Sequence, residues 1–569
     1  MKPVHIYPRI IENIEDWPIY QLSKDRQEFI QQIDAETFDN LKNLHRKQLA
    51  DIIVKTIYLE RIRIKEEPWK VDPPTERNFW NRVSKQLVKY SLDREDDEAR
   101  EAAESVLQKI IRRYSEEIVG TFRISTFKFA QNFLTFLFSR LFNAAVSKSI
   151  IRGLWSGKRQ LYERMSVVGN VETVRELFKH GTVVIVPTHF SNLDSILVGY
   201  AMDQIIGLPS FSYGAGLNLY NFGPAAYFMN RLGAYRVDRR KKNPIYLETL
   251  KTMSNLSIQR GVNSLFFPGG TRSRSGALEA DLKMGLLGTT IEAQRALCQR
   301  NSDRKVFIVP LVINYHFVLE APFLIEEHLR RTGKEQYIRL RDESTSIRST
   351  LRFIWRFFST SSDITLSIGK PIDVLGNFVD ARGRSFDRYG HEIQIGSYFQ
   401  FAGKVNVDAQ REAEYTKLLA DRILERYRAE NVVLCSHLIA FTVFQLLLHQ
   451  HPKLDIYGIL RLPPDDYVFP IEVVEEIIRQ FRELLIKWEQ EHRLKLSPEI
   501  HHTPAEIIKE GVKKLGAYHR EEPLSLNKDG DIVSSDFKVL YYYHNRLDCY
   551  GLEKKIQWKT EGILLLNVE

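Results

Sequence analysis

Between residues 165 and 375 the chain alternates short, continuous apolar runs with segments of helical periodicity, and this alternation restricts the fold more than any other property. The runs are Val183 to Pro187, Ala234 to Val237, Ser264 to Phe267, Val306 to Asn314 and Ile364 to Ile368. A strand that alternates apolar and polar residues has one wet face, whereas a continuous run needs cover on both faces, and helices between successive runs supply it. The pattern predicts an α/β domain with a largely parallel central sheet over 165–375, closed by Gly369-Lys370-Pro371-Ile372-Asp373-Val374. Around it the chain reads as a helical N-terminal region over 1–120 and an aromatic-rich amphipathic helical segment over 121–164. A polar loop or insertion follows over 376–407, then a mainly helical C-terminal region with a mixed tail over 408–569.

With 569 residues, 43% of them apolar and 27% charged, the chain can bury a large core without metals or disulfides, and a mainly disordered chain is excluded. Three scattered cysteines, Cys298, Cys435 and Cys549, make no disulfide framework and point to a reducing cytosolic setting. The opening Met1-Lys2-Pro3-Val4-His5-Ile6-Tyr7-Pro8 lacks the continuous apolar core of a signal peptide, so the expectation is a cytoplasmic protein held peripherally at a membrane's cytoplasmic face. A net charge of +9 suits an anionic membrane surface, phosphate-bearing substrates or an acidic carrier protein. Nucleic acid is not an expected partner, because no reader motif appears. Val432 to Pro452 is uncharged over the length of a membrane span, yet it carries Ser436, His437, Thr442, Gln445 and His449 and is expected to be a buried helix. Phe127, Phe129, Phe133, Phe136, Phe138 and Phe142 stand among Arg123, Lys128, Arg140, Lys148 and Arg152, a pattern that fits either a core helix or a membrane-surface helix.

The chemistry concentrates in His189-Phe190-Ser191-Asn192-Leu193-Asp194, straight after the first apolar run. A histidine can take a proton from an alcohol near neutral pH, and a carboxylate on its other ring nitrogen fixes the tautomer and stabilises the imidazolium. This makes His189 the candidate general base and Asp194 its orienting acid. The spacing is weak alone, since roughly one His-x4-Asp is expected by chance in a chain of this composition. Its weight comes from three further blocks: Gly233-Ala234-Tyr235-Arg236-Val237-Asp238-Arg239, Phe267-Pro268-Gly269-Gly270-Thr271-Arg272-Ser273-Arg274-Ser275-Gly276, and Val309-Pro310-Leu311-Val312-Ile313. No cysteine or Gly-x-Ser-x-Gly nucleophile accompanies them, so direct transfer is the simpler chemistry.

In this order the four blocks resemble the motifs of the glycerophosphate acyltransferase family, which esterifies hydroxyls of glycerol phosphates. The resemblance implies a catalytic pair His189 and Asp194, with Ser191, Arg239, Gly270, Thr271, Arg272, Ser273, Lys283 and Pro310 on the substrate side. It implies no cofactor and no metal; acyl-CoA or an acyl-carrier protein is the co-substrate. Arg236, Arg240, Lys241, Lys242 and Arg274 are extra charges near the expected phosphate site. Two positions depart from the family pattern. Gly269 stands where a glutamate is usual, a change that alters acceptor choice, lowers the rate or is compensated by a nearby acid such as Glu279 or Asp281, and Phe190 stands where the glycerol-3-phosphate branch commonly has arginine; with the base and its carboxylate intact, altered acceptor recognition is the expectation. The late run Leu540-Tyr541-Tyr542-Tyr543-His544-Asn545-Arg546 and the helical flanks are similar to that long branch. The implied reaction is transfer of a fatty acyl group from a thioester to glycerol 3-phosphate or dihydroxyacetone phosphate. The alternatives are 1-acylglycerol 3-phosphate as acceptor and a catalytically weak lipid- or acyl-binding protein.

Overall fold

The computed structural model describes residues 5–42, 46–69, 72–89, 97–146, 165–217, 220, 223–318, 320–333, 364–516, 519 and 522–558. Lys148 and Arg152 of the aromatic-rich segment lie outside the described residues.

The apolar runs form the middle of one mixed sheet. Its strands are β1 (Met165–Gly169), β2 (Gly181–Pro187), β3 (Ser212–Gly216), β4 (Ala234–Val237), β5 (Ser264–Leu265), β6 (Lys305–Tyr315), β7 (Ile364–Ile368) and β8 (Ile372–Asp373). The order β4-β3-β5-β2-β6 is parallel throughout. The far edge of β6 is shared: Leu311 to Tyr315 pair antiparallel with β7, which carries β1, while Phe307 and Ile308 pair with β8. β2 is buried at every position, as its unbroken apolar run requires. β5 is shorter than expected, because beyond Leu265 the chain leaves the ladder toward the site. β3, Ser-Tyr-Gly-Ala-Gly, has no apolar run and gave no strand signal.

The polar segment 376–407, expected as a loop or insertion, adds to the sheet. Phe378–Val379, Ser385–Phe386 and Glu392–Ile393 add short antiparallel strands beyond β8. Their turns are made by the residues that looked like loop. Asp380 accepts the backbone N–H groups of Arg382 and Arg384, both at 2.9 Å, and Asp387 accepts those of Tyr389 and His391 at 2.8 and 2.9 Å.

Both flanks pack onto the sheet domain. Phe29, Ile33, Ile53, Trp80, Ile110 and Tyr114 of the N-terminal helices share a core with Tyr246, Leu250 and Met253 of helix Pro244–Gln259. On the other side helix Cys435–Gln450 is buried from Cys435 to Leu447. Its polar residues find protein partners: Ser436 meets His316 at 3.0 Å and His437 Nε2 meets the Tyr315 carbonyl at 3.0 Å. No helix among the described residues is long and apolar enough to cross a membrane. Phe444 of the same helix stacks on Phe537 of helix Phe537–Asp548, ring centroids 5.1 Å apart, and so seats that last helix over the site.

Candidate active site

β2 and β5 are hydrogen-bonded neighbours, with Val184 opposite Ser264, and β6 lies on the other side of β2, with Val186 opposite Pro310. The segments that leave β2 and β5 therefore meet at the carboxyl ends of parallel strands, where open α/β sheets place ligands. Thr188 anchors the first of them to β6, its N–H donating to the Leu311 carbonyl at 3.0 Å and its hydroxyl accepting the Ile313 N–H at 3.1 Å.

His189 Nδ1 lies 2.8 Å from Asp194 Oδ2. That oxygen also accepts the backbone N–H groups of Phe190 at 2.6 Å and Ser191 at 2.9 Å, while Oδ1 accepts the Tyr315 hydroxyl at 2.6 Å. Asp194 is completely buried, and it opens helix Asp194–Gln204, where the helix dipole adds to the four donors in holding a negative charge. An ionised carboxylate only accepts, so Nδ1 carries the imidazole proton and Nε2 keeps its lone pair. The ring stacks on Phe267 with centroids 4.2 Å apart. The loop after β5 holds both backbone groups of His189: its N–H donates to Glu279 Oε1 at 2.8 Å, and its carbonyl accepts the Ser273 N–H at 2.7 Å.

His189, Arg239, Thr271, Arg272 and Arg274 line one cleft of about 170 Å³, together with Asn192, Tyr213 and Glu327. Arg272 is 3.4 Å from Glu320 and Arg274 is 2.9 Å from Glu327. Arg239 has no carboxylate partner among the described residues. Partial removal from water, then the like charges of Arg274 and Arg272, lower its pKa, although its outer surface stays exposed to solvent. Beside this cleft lies an apolar cavity of about 300 Å³ walled by residues such as Phe127, Phe133, Leu134, Ile196, Phe211 and Phe228. Ser195 and Tyr213 line both spaces.

The other residues expected on the substrate side lie outside the cleft lining. Ser191 turns its hydroxyl to Glu320 at 3.2 Å. Gly270, at φ 78°, donates its N–H to the Phe267 carbonyl at 3.0 Å, so that N–H closes a turn. Ser273 braces the loop through its hydroxyl, 2.8 Å from the Ala277 carbonyl, and Lys283 does so through its N–H, 2.7 Å from that of Pro268. Pro310 is buried in β6, its carbonyl accepting the Gly369 N–H at 2.8 Å. Of the expected extra cations Arg274 alone lines the cleft; two others are claimed by acids of the N-terminal region, Arg240 by Asp72 at 2.6 Å and Lys241 by Glu117 at 2.6 Å. Arg236 bonds Asn230 at 2.7 Å, and Lys242 and Asp281 are exposed. Among the described residues no group of three or more His, Cys, Asp or Glu side chains is placed to hold a metal ion.

Three contributors gave no signal beside the motifs, Tyr315, Glu320 and Glu327, and a fourth, Arg546, ends the late run without any sign there of what it touches. Glu320 gathers Ser191, the Asn192 N–H at 3.0 Å and Arg272. Arg546, buried in the last helix, donates to the Ile313 carbonyl at 2.6 Å and lies 4.0 Å over the ring of Phe190. The same helix grips the third block, where Asn545 donates to the Ser275 carbonyl at 2.9 Å and a Cβ on Gly276 would stand 2.1 Å from the Tyr542 carbonyl oxygen. The late aromatic run singled out in the sequence is this clamp.

Burial pushes the Glu279 carboxyl up to about 7, against the hydrogen bond from the His189 N–H and the charge of Arg546, with Asp194 adding to the rise. An acid whose pKa rises on folding binds more protons in the native state between its unfolded and folded pKa values, so stability declines as pH climbs through that window. Glu279→Gln keeps an acceptor and removes the titration. The melting temperature of the variant, relative to wild type, should therefore be higher at pH 8 than at pH 5 by differential scanning fluorimetry; a difference independent of pH would remove the assignment.

Residues 167–314 match the family model for Acyltransferase. Over 216 residues the chain is 32% identical to a glycerol-3-phosphate acyltransferase of Aeromonas hydrophila, a stretch that covers 38% of this chain and 23% of that protein. A glycerol-3-phosphate acyltransferase of Shewanella loihica is 25% identical over 327 residues, which is 57% of this chain and 33% of its own length. The chain thus spans about a third or less of the length of these curated relatives. The matched region is the central domain, in which β2, β4, β5 and β6 bring the blocks together around His189 and Asp194, and it is similar to the acyltransferase domain of these glycerol-3-phosphate acyltransferases.

Proposed function

We propose that the chain is an O-acyltransferase that moves a fatty acyl group from an acyl thioester to a hydroxyl of glycerol 3-phosphate or dihydroxyacetone phosphate. The observation that carries this reading is one juxtaposition: a His–Asp dyad in a cleft with three arginines, next to an apolar cavity that shares Ser195 and Tyr213 with it. The arginine cleft suits the phosphate dianion of the acceptor, with unpaired Arg239 as its first ligand. The apolar cavity suits the acyl chain. His189 Nε2 takes the acceptor hydroxyl proton as the oxygen attacks the thioester carbonyl, and Asp194 offsets the charge on the imidazolium. Collapse of the tetrahedral intermediate breaks the C–S bond, and the departing thiolate recovers the proton from Nε2. Acyl-CoA or an acyl-carrier protein serves as donor, and the reaction needs no cofactor.

Three facts support docking on an anionic membrane surface. Phe129, Phe133 and Phe136, 59%, 49% and 57% exposed, recur on one face of helix Ile124–Val146. Phe133 also lines the apolar cavity, so this face leads from solvent to the acyl site. Arg123 and Lys128 are exposed beside it. Phe129→Ser with Phe136→Ser should weaken co-sedimentation with phosphatidylglycerol-containing vesicles at least about fivefold while transfer from a short, soluble acyl-CoA persists; unchanged sedimentation would exclude this face.

The function is tested by release of free thiol from palmitoyl-CoA with glycerol 3-phosphate, dihydroxyacetone phosphate or 1-acylglycerol 3-phosphate supplied separately. Preference for the last acceptor would replace the first two. Absence of His189-dependent release with both CoA and carrier-protein donors would leave the lipid- or acyl-binding reading. In the same assay Arg239→Ala should raise the acceptor KM at least about tenfold and leave the donor KM unchanged; an unaltered acceptor KM would remove Arg239 from the phosphate site.

A further inference from the structure

Gly269 and Glu279 fit each other. A Cβ placed on Gly269 would stand 3.0 Å from Glu279 Cγ and 3.5 Å from its Oε1, so the Glu279 side chain fills the space that a larger residue at 269 would claim. The backbone of Gly269 is not in the left-handed region, so what glycine provides here is room. Into that room Glu279 brings the oxygen that accepts the His189 N–H at 2.8 Å, while its Oε2 is buried without a hydrogen-bond partner among the described residues. We infer that Glu279 is a positioning residue for acyl transfer, holding the His189 backbone from the space that Gly269 leaves open and so standing in for a carboxylate rooted at position 269. This rests on the proposed function for its activity readout only.

The contact matters because His189 is held by its backbone as well as by Asp194. Ser273 takes the carbonyl and Glu279 the N–H, both from the loop after β5. Losing the second grip lets the peptide plane at His189 rotate, which moves Nε2 against Arg239 and the attacking oxygen. A misplacement of about an ångström is enough to slow a reaction that depends on alignment. A Cβ at 269 presses on Glu279 Cγ and makes that side chain give by a few tenths of an ångström, so cutting Glu279 back is what frees the space for a glutamate at 269. A glutamate rooted at 269 has the reach to place its carboxylate where Glu279 Oε1 now lies.

The test is a swap. Glu279→Ala should lower kcat at least about tenfold, with donor and acceptor KM values within about threefold of wild type. Glu279→Gln keeps an acceptor oxygen and should stay within about threefold in kcat. The double variant Gly269→Glu with Glu279→Ala should recover kcat to within about threefold of wild type. Amide hydrogen exchange at His189, read by fragment-resolved mass spectrometry, should accelerate in Glu279→Ala and return to the wild-type rate in the swap. This second readout needs no turnover, so an inactive wild type would defeat the proposed function while exchange still decides the role of Glu279. Unchanged protection of the His189 amide in Glu279→Ala, a Glu279→Gln variant as impaired as Glu279→Ala, or a swap no better than Glu279→Ala would each overturn the inference.

Discussion

His189→Ala should lower turnover at least about 100-fold, the usual contribution of a positioned general base. The fold should survive. The side chain is 17% exposed at the cleft surface, and its contacts are the ring of Phe267 and one oxygen of Asp194. Its removal leaves that oxygen with the Phe190 and Ser191 N–H groups and leaves the Tyr315 hydroxyl in place. The stability change should accordingly be within about 1 kcal/mol, as for a partly exposed residue outside the core. In the proposed reaction His189 serves the reacting end of the cleft and the arginines Arg239, Arg272 and Arg274 serve the acceptor phosphate, so the fall should appear in kcat with little change in the acceptor KM. Steady-state kinetics beside a denaturant titration separates the two effects. A fall of only a few-fold in a stably folded variant would sink the assignment of His189 as base.

How far the sequence revealed this site depends on the kind of contact. The blocks could be placed because each follows or lies within an apolar run that becomes β2, β4, β5 or β6, and because a parallel sheet gathers the carboxyl ends of its strands on one side. The allocation of charge could not. Arg239, Arg240 and Lys241 are adjacent in the chain, yet Arg239 faces the cleft while Arg240 and Lys241 are claimed by Asp72 and Glu117 from the N-terminal region far upstream. Only tertiary packing distributes such a run. Glu320 is hidden for the same reason, as is the contact that Arg546 of the late run makes, since both meet the first block across more than one hundred residues. β3 escaped because glycine and serine carry no hydrophobic pattern; its strand exists through pairing with β4 and β5.

Asp194→Asn should lower turnover about 100- to 1,000-fold while destabilising the protein by only about 1–2 kcal/mol, and the reason lies in which oxygen takes which donor. Oδ2 receives His189 Nδ1 and two backbone N–H groups, whereas Oδ1 receives a hydroxyl that can reverse and accept. The asparagine carbonyl is therefore compelled to occupy the Oδ2 position, since the amide NH₂ there would face three donors, and the NH₂ instead meets Tyr315. His189 keeps its orientation and its Nδ1–H tautomer. What disappears is the negative charge beside the imidazolium that forms as the acceptor loses its proton, and that loss falls on kcat. Asp194→Ala removes the acceptor altogether and strands the buried Phe190 and Ser191 N–H groups, so it should destabilise by about 3 kcal/mol or more. Kinetics and denaturant midpoints for the two variants distinguish charge from scaffold. An active Asp194→Asn would show that the dyad works without its charge, and equal stability of the two variants would show that the buried donors do not depend on this acceptor.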